Sequence, residues 1–210
     1  MIRVLIVDDH AILRRGLSQI ISETDDLEVA GEADSGAQAI KLAREQDFDV
    51  VLLDISMPDR NGLDTLKQLK KEKPKLAVLM LSMHPEDHYA MRALKAGASG
   101  YLTKQSAPAL LVTAIRQVAS GRKYVSAELA EELARTVGDG GGKLRHETLS
   151  DREYETLRLI ASGKTLTEVA AEMTLSVKTV SVYRARLLEK MQIKNNAELT
   201  YYALKHKLVE

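Results

Sequence analysis

Cysteine is absent from the 210 residues, which excludes a disulfide scaffold and any thiolate chemistry. Long apolar runs are absent too: the longest falls far short of the roughly 18 residues that a membrane span needs. There is no excess of either charge, since 30 basic residues meet 30 acidic ones, and that balance excludes little. No internal repeat is visible. The N-terminus runs directly into an apolar stretch and two carboxylates, Val4-Leu5-Ile6-Val7 and then Asp8-Asp9, unlike a signal peptide. A soluble cytoplasmic protein of one or two domains is expected, with no membrane partner.

The charge that is present is placed unevenly. Residues 143–210 hold 12 Lys and Arg against 9 Asp and Glu, which leaves 18 and 21 for residues 1–142. Within Thr174–Asn196, Lys178, Arg184, Arg186, Lys190 and Lys194 face a single acid, Glu189. A mildly basic C-terminal segment is a weak signal for nucleic acid.

The first ~120 residues repeat an apolar run followed by a helical pattern. The runs read as strands near Arg3–Val7, Glu28–Ala33, Val50–Asp54, Ala77–Leu81 and Gly100–Leu102. The helices read near Ala11–Ser22, Gly36–Glu45, Gly62–Lys71, Pro85–Ala96 and Pro108–Ser120. Ser35 is placed as an N-cap, Pro85 and Pro108 in first turns, and Gly97 and Gly121 as stops. Five such units predict an α/β fold with a doubly wound five-stranded parallel sheet. Tyr124–Val137 reads as one more helix, capped by Ser126. The run Gly138-Asp139-Gly140-Gly141-Gly142 reads as a flexible linker. Four short helices follow, near Asp151–Ser162, Leu166–Met173, Val177–Met191 and Ala197–Lys207. The predicted division is 1–122, 123–147 as a linker with a helix and a Gly-rich segment, and 148–210 as a small all-α four-helix domain.

Ligand chemistry in parallel sheets gathers at the carboxyl ends of the strands. Asp8 and Asp9 end the first strand, Asp54 the third and Ser82 the fourth, and Lys104 follows the fifth. Clustered carboxylates form a hard-oxygen site of the kind Mg²⁺ prefers. Asp54 is placed as a nucleophile, because carboxylate attack on phosphorus gives an acyl phosphate. Lys104 supplies a fixed positive charge and Ser82 a hydroxyl donor. Taken singly these residues are commonplace, as turn residues, helix caps or solvated lysines. Together, at strand ends, they are specific. His10 and His84 are read as surface histidines beside the site rather than as catalytic bases.

Residues 1–122 resemble the receiver domain of two-component response regulators. The stretches that carry the likeness are Leu5–His10 (LIVDDH), Asp54–Gly62 (DISMPDRNG), Met80–Ser82 (MLS) and Gly97–Lys104 (GASGYLTK). The resemblance implies that Asp54 is the phosphoacceptor and that Asp8, Asp9 and Asp54, with the backbone carbonyl of Ser56, hold Mg²⁺. It also implies that Ser82 and Tyr101 are the switch pair, working with Lys104 at the phosphoryl group.

Leu166–Met173 and Val177–Met191, joined by a three-residue turn, have helix-turn-helix spacing. On the second helix Val180, Leu187, Leu188 and Met191 share one side. Lys178, Val182, Ala185 and Arg186 lie opposite, with Ser181 at the margin. Small and polar residues there permit close approach to base edges, while Lys178, Thr179, Tyr183 and Lys190 flank them where phosphates would run. Arg184 falls near the buried side, its stem packed and its guanidinium reaching out. Leu199, Tyr202 and Ala203 of the last helix read either as core or as a dimer face.

The stretch from Leu149 (LSDREYETLRLIASGKTLTEVAAEMTLSVKTVSVYRARLLEKMQI) is similar to the LuxR-type DNA-binding domain. With the receiver, the whole chain resembles the NarL/FixJ subfamily, and SVKTVSVYRARL and AELTYYALKHKLV look most like its GacA/UvrY-like branch. Many LuxR-type domains have Ser-Asn-Lys-Glu in place of Thr165-Leu166-Thr167-Glu168, and His in place of Tyr183; these departures bear on the operator, not the fold. The resemblance implies a transcription factor rather than an enzyme, phosphorylated by a sensor histidine kinase and binding promoter DNA. A homodimer is expected when phosphorylated, with RNA polymerase as a candidate partner. Three rival readings are weaker. An aspartyl-phosphate phosphatase usually carries Asp-x-Asp, and residue 56 is Ser. A pseudo-receiver would not need the complete acidic set. An acyl-homoserine-lactone receptor would need an apolar pocket domain at the N-terminus.

Overall fold

Strands flanked by helices on both faces must be apolar throughout, and Val4, Leu5, Ile6 and Val50–Leu53 are all fully buried. The computed structural model of the chain describes residues 1–57, 61–82, 86–105, 108–126, 129–131, 144–206 and 208–209. It divides into two units, Met1–Asp139 and Gly140–Glu210.

The first unit contains β1 (Ile2–Val7), α1 (Ala11–Ser22), β2 (Leu27–Ala33), α2 (Gly36–Glu45), β3 (Val50–Asp54), α3 (Gly62–Glu72), β4 (Ala77–Ser82), α4 (Glu86–Lys95), β5 (Gly100–Thr103) and α5 (Pro108–Ala119). All strand pairings are parallel, in the order β2-β1-β3-β4-β5. The winding reverses between β1 and β3, where such sheets open a crevice for ligands at their carboxyl ends. One face of the sheet packs a core of Val4, Ile6, Leu52, Leu79 and Leu81 against Leu17 and Ile21 of α1 and Leu111 and Ile115 of α5. Burying each such side chain contributes about 1.5–3 kcal/mol.

The expected elements of this unit stand within a residue or two of the observed ones. The Ser35 hydroxyl accepts from Gln38 N as predicted. Gly97 and Gly121 have φ of 102° and 82°, left-handed values that halt a helix at low cost. One expectation is corrected. Tyr124 does not begin a helix; it forms a parallel bridge with Gly100 on the outer edge of β5. The turn at Ser126, whose hydroxyl accepts from Leu129 N at 3.2 Å, starts only beyond it. His84, Pro85, the Gly-rich run 138–142 and Lys207 lie outside the described residues.

The second unit has a 3-10 turn (Arg145–Thr148) and then α6 (Asp151–Ala161), α7 (Leu166–Glu172), α8 (Val177–Met191) and α9 (Asn196–Lys205). Every one of these α-helices starts on a side-chain cap: Ser150, Thr165, Ser176 and Asn195. At Ser150 and Thr165 the cap is reciprocal, with Glu153 and Glu168 reaching back to the cap amide. Tyr154, Leu157, Val169, Val180, Leu187, Met191, Leu199 and Ala203 form its buried interior. Among the described residues, no helix of either unit is long and apolar enough to cross a membrane.

Candidate functional site

Asp8 directly follows β1 and Asp54 ends β3, the two strands that flank the reversal of winding, and both are buried, at 0% and 1% exposure. Lys104 reaches between them, with Nζ 2.7 Å from Asp8 Oδ2 and 2.9 Å from Asp54 Oδ2. Its backbone amide donates to the Ser82 carbonyl at 2.7 Å, so the lysine and the end of β4 are tied together. Asp9 is partly buried, and its Oδ1 lies 2.9 Å from Nδ1 of the exposed His10 ring. Carboxylate oxygens of Asp8, Asp9 and Asp54 and a ring nitrogen of His10 all lie within 4.8 Å of one another.

Two buried carboxylates share one ammonium here. Burial is the largest influence on Asp54; Lys104 opposes it, and the neighbouring Asp8 adds to it. The carboxyl is pushed up to about 6. Burial works against the Lys104 ammonium, but Asp54 and Asp8 outweigh it and hold its pKa above the usual lysine range. Asp8 Oδ2 and Asp54 Oδ2 are buried and share the single Lys104 ammonium, and the buried Asp9 Oδ1 faces the His10 ring. One ammonium offsets only part of the charge of three clustered carboxylates, which favours a further cation there. The donor set suits a hard divalent ion.

The surroundings fix this geometry. Ser56 is exposed, and its amide donates to Asp54 Oδ1 at 3.3 Å, which sets that peptide beside the carboxylate. A Cβ at Gly62 would lie 2.0 Å from the Asp54 carbonyl oxygen and 2.8 Å from Ile55 Cα. Only glycine lets α3 start against the backbone of Asp54. Asn61, 1% exposed, caps that helix by accepting from Leu63 N at 2.8 Å. Arg14 of α1 donates from Nη1 to the Asp8 carbonyl at 2.6 Å. Asp8 Oδ1 accepts from His10 N at 2.8 Å, so it orders the loop rather than capping α1. Arg14 and Asn61 escaped the sequence reading. A polar residue before a helix start signals Asn61, but nothing local marks Arg14.

Ser82 and Tyr101 are fully buried. Ser82 pairs with Thr103 across β4 and β5, and alternate strand residues share a face, so Ser82 and Tyr101 lie on one side of the sheet.

In the second unit the helical wheel holds. Val180, Leu187 and Met191 are fully buried, while Lys178, Ser181, Val182, Ala185 and Arg186 are exposed. Thr179 and Tyr183 are half-buried. The Thr179 hydroxyl lies 2.8 Å from that of the capping Ser176. Arg184 is half-buried and donates to Asn196 Oδ1 at 2.8 Å. Lys190 donates to Glu153 Oε2 at 2.7 Å. Burial acts to raise the Glu153 carboxyl, yet the bonds from Lys190 and Ser150 prevail and hold it below its ordinary value. Leu199 and Ala203 are core. Tyr202 packs on His206 and lies 3.0 Å from His146 Nδ1.

Residues 4–116 match the family described as response regulator receiver domain, and residues 147–203 match bacterial regulatory proteins of the luxR family. The chain is 37% identical to response regulator GacA of Pseudomonas viridiflava over 211 residues, covering 100% of this chain and 99% of that protein. It is 36% identical to response regulator UvrY of Escherichia coli K12, covering 99% and 96%. A solved structure of RcsB from Salmonella enterica serovar Typhimurium, bound to promoter rprA with phosphomimetic BeF3⁻, superposes with a TM-score of 0.64. It is 28% identical, covering 96% of this chain and 98% of that one.

Proposed function

The chain belongs to the response regulators that join a receiver to a LuxR-type DNA-binding domain, the NarL/FixJ subfamily, and from that premise we propose that Asp54 is its phosphoacceptor. The observation that carries this is the Lys104 ammonium held between the buried carboxylates of Asp8 and Asp54. An oxygen of Asp54 attacks the phosphorus of a phosphohistidine on a sensor histidine kinase. The P–N bond breaks, the imidazole leaves with the electron pair, and an acyl phosphate remains. Lys104 supplies positive charge where the phosphoryl oxygens arrive. Asp8, Asp9, Asp54 and the Ser56 carbonyl would hold Mg²⁺, which when bound neutralises phosphoryl charge. Phosphorylation adds about −1.5 to −2 charge, by analogy with hydroxyl residues. The Ser82 hydroxyl donates to the new group, and Tyr101 changes rotamer behind it.

The domain division we adopt is a receiver at 1–122, a linker at 123–147 and a DNA-binding domain at 148–210. In the last, α8 enters the major groove. Ser181, Val182, Ala185 and Arg186 meet base edges, and Lys178, Thr179, Tyr183 and Lys190 meet phosphates. Two phosphorylated copies bind two half-sites of a promoter. Tyr201 and Leu204 of α9, 70% and 51% exposed, are the apolar face open to pairing. The protein acts in the cytoplasm as a regulator rather than as an enzyme, with RNA polymerase as the downstream partner.

The test is capture of genomic fragments by wild type treated with acetyl phosphate and Mg²⁺, against Asp54→Ala treated alike. Enrichment by wild type alone supports the proposal. Equal enrichment by both removes phosphorylation as the control of DNA binding.

A further inference from the structure

β5 is the last strand of the sheet, so one of its edges is open. Open edges attract further strands, and the chain leaving α5 takes this one. Tyr124 N donates to the Ser99 carbonyl at 2.9 Å, and Tyr101 N donates to the Tyr124 carbonyl at 3.3 Å. Gly100, between these two partners, makes the approach possible. A Cβ there would lie 2.6 Å from Tyr124 O and 3.0 Å from Tyr124 Cβ. Lys123 reinforces the contact, its ammonium donating to the Ala98 carbonyl. Gln117 Nε2 donates to the Lys123 carbonyl at 2.5 Å. The chain then turns at Ser126 and buries Leu129, at 2% exposure.

The start of the linker is therefore bonded to the main chain of the residue assigned as the aromatic switch. We propose that Tyr124 is the coupling residue of this protein: its carbonyl holds the Tyr101 amide in the resting state and loses it when Tyr101 moves, which frees the segment leading to the DNA-binding domain. The inference rests on the receiver reading above. Its physical basis is the placement of the bond. Tyr101 is fully buried, so a change of its rotamer displaces close-packed neighbours and loads the backbone bond beside it. The bond to Tyr124 is the longer of the two, at 3.3 Å, and stands at the open edge. It opens without unpairing β5 from β4.

The test is amide hydrogen exchange on the full chain, resting and with Mg²⁺ plus beryllofluoride as the phosphoryl stand-in. Exchange at the Tyr101 and Tyr124 amides is expected to quicken by on the order of tenfold on activation, as local opening predicts. Tyr124→Pro, which lacks the donor to Ser99, is expected to show fast exchange at Tyr101 already at rest. Tyr124→Phe keeps every backbone bond and is expected to behave as wild type. Should Tyr124→Pro not fold, Lys123→Met removes only the strut to Ala98 and is expected to raise resting exchange at Tyr101 in the same direction. Unchanged exchange at Tyr101 and Tyr124, while amides around Asp54 respond, overturns the coupling and leaves the receiver reading standing. No response anywhere overturns the receiver reading, and the coupling falls with it.

Discussion

Asp54 is 1% exposed, while Val182, at the centre of the face that we propose meets DNA, is 43% exposed. In the first unit the functional groups are withdrawn from water and already press on one another. In the second they stand apart in solvent, waiting for a surface. Phosphoryl chemistry gains from a site where water is excluded, because charge interactions are stronger there. Groove recognition needs side chains that protrude. The two units are therefore expected to answer mutation differently: the receiver site should lose folding free energy together with activity, whereas the exposed Val182 and Arg186 should lose only DNA.

Lys104→Met breaks this comparison most directly. It leaves Asp8 and Asp54 buried without their cation, and removing one partner of such a set costs about 3–5 kcal/mol. Chemical denaturation of the receiver at neutral pH is expected to show that loss, with phosphoryl uptake from acetyl phosphate abolished. A wild-type midpoint in the variant would mean that the contacts at 2.7 and 2.9 Å carry no stability.

Next in size is a pH effect on the metal-free protein. Asp54 titrates near 3.8 when unfolded and about 6 when folded, so the native state keeps a proton that the unfolded chain gives up. Its contribution is full below 3.8 and is lost as pH rises through about 6, a cost on the order of 3 kcal/mol. Denaturation of wild type and Asp54→Asn between pH 4 and 7 should show this loss in wild type only. Added Mg²⁺ should restore more stability at pH 7 than at pH 5.

Arg186→Ala sharpens the other side. Its melting is expected to match wild type, since exposed positions change stability by no more than about 0.5 kcal/mol. DNA binding is expected to lose about 1–3 kcal/mol with relaxed preference at one base position. Unchanged affinity and preference would mean that α8 presents a different face to the groove. The smallest effect separates two roles for Lys190. Bound to Glu153 at 2.7 Å, it acts as a strut between α8 and the start of α6. Lys190→Met should therefore cost about 1 kcal/mol of stability. Lys178→Met should cost none, but should reduce the salt slope of DNA binding by about one. Lys190→Met should reduce that slope as well, but by less, because its ammonium is shared with Glu153; no change in slope would remove Lys190 from the phosphate contacts.

The parts of this molecule legible in the sequence are those governed by near neighbours. Apolar runs marked the strands, and strand ends marked Asp8, Asp54 and Lys104. The period of α8 separated Val180, Leu187 and Met191 from Val182 and Arg186. What stayed hidden depends on chain returning from elsewhere. Arg14 matters because α1 folds back over Asp8, and Lys190 because α8 passes Glu153. Gly62 was legible as part of a motif, but its necessity lies in a carbonyl oxygen 2.0 Å from where its Cβ would be. Tyr124 was misread because its helical surroundings outweighed, in sequence, an edge that exists only once β5 has formed.

The self-capped helices of the second unit have a consequence for how the protein is made. Ser150, Thr165, Ser176 and Asn195 each close a helix from one position upstream, so the instruction to start lies within a single turn of chain. The receiver instead must bring β1 beside β3 and β3 beside β4 across whole intervening helices. Local contacts form quickly and distant ones slowly. The domain synthesised after the receiver is thus the one equipped to fold sooner once it emerges, which shortens the time that its apolar residues spend uncovered.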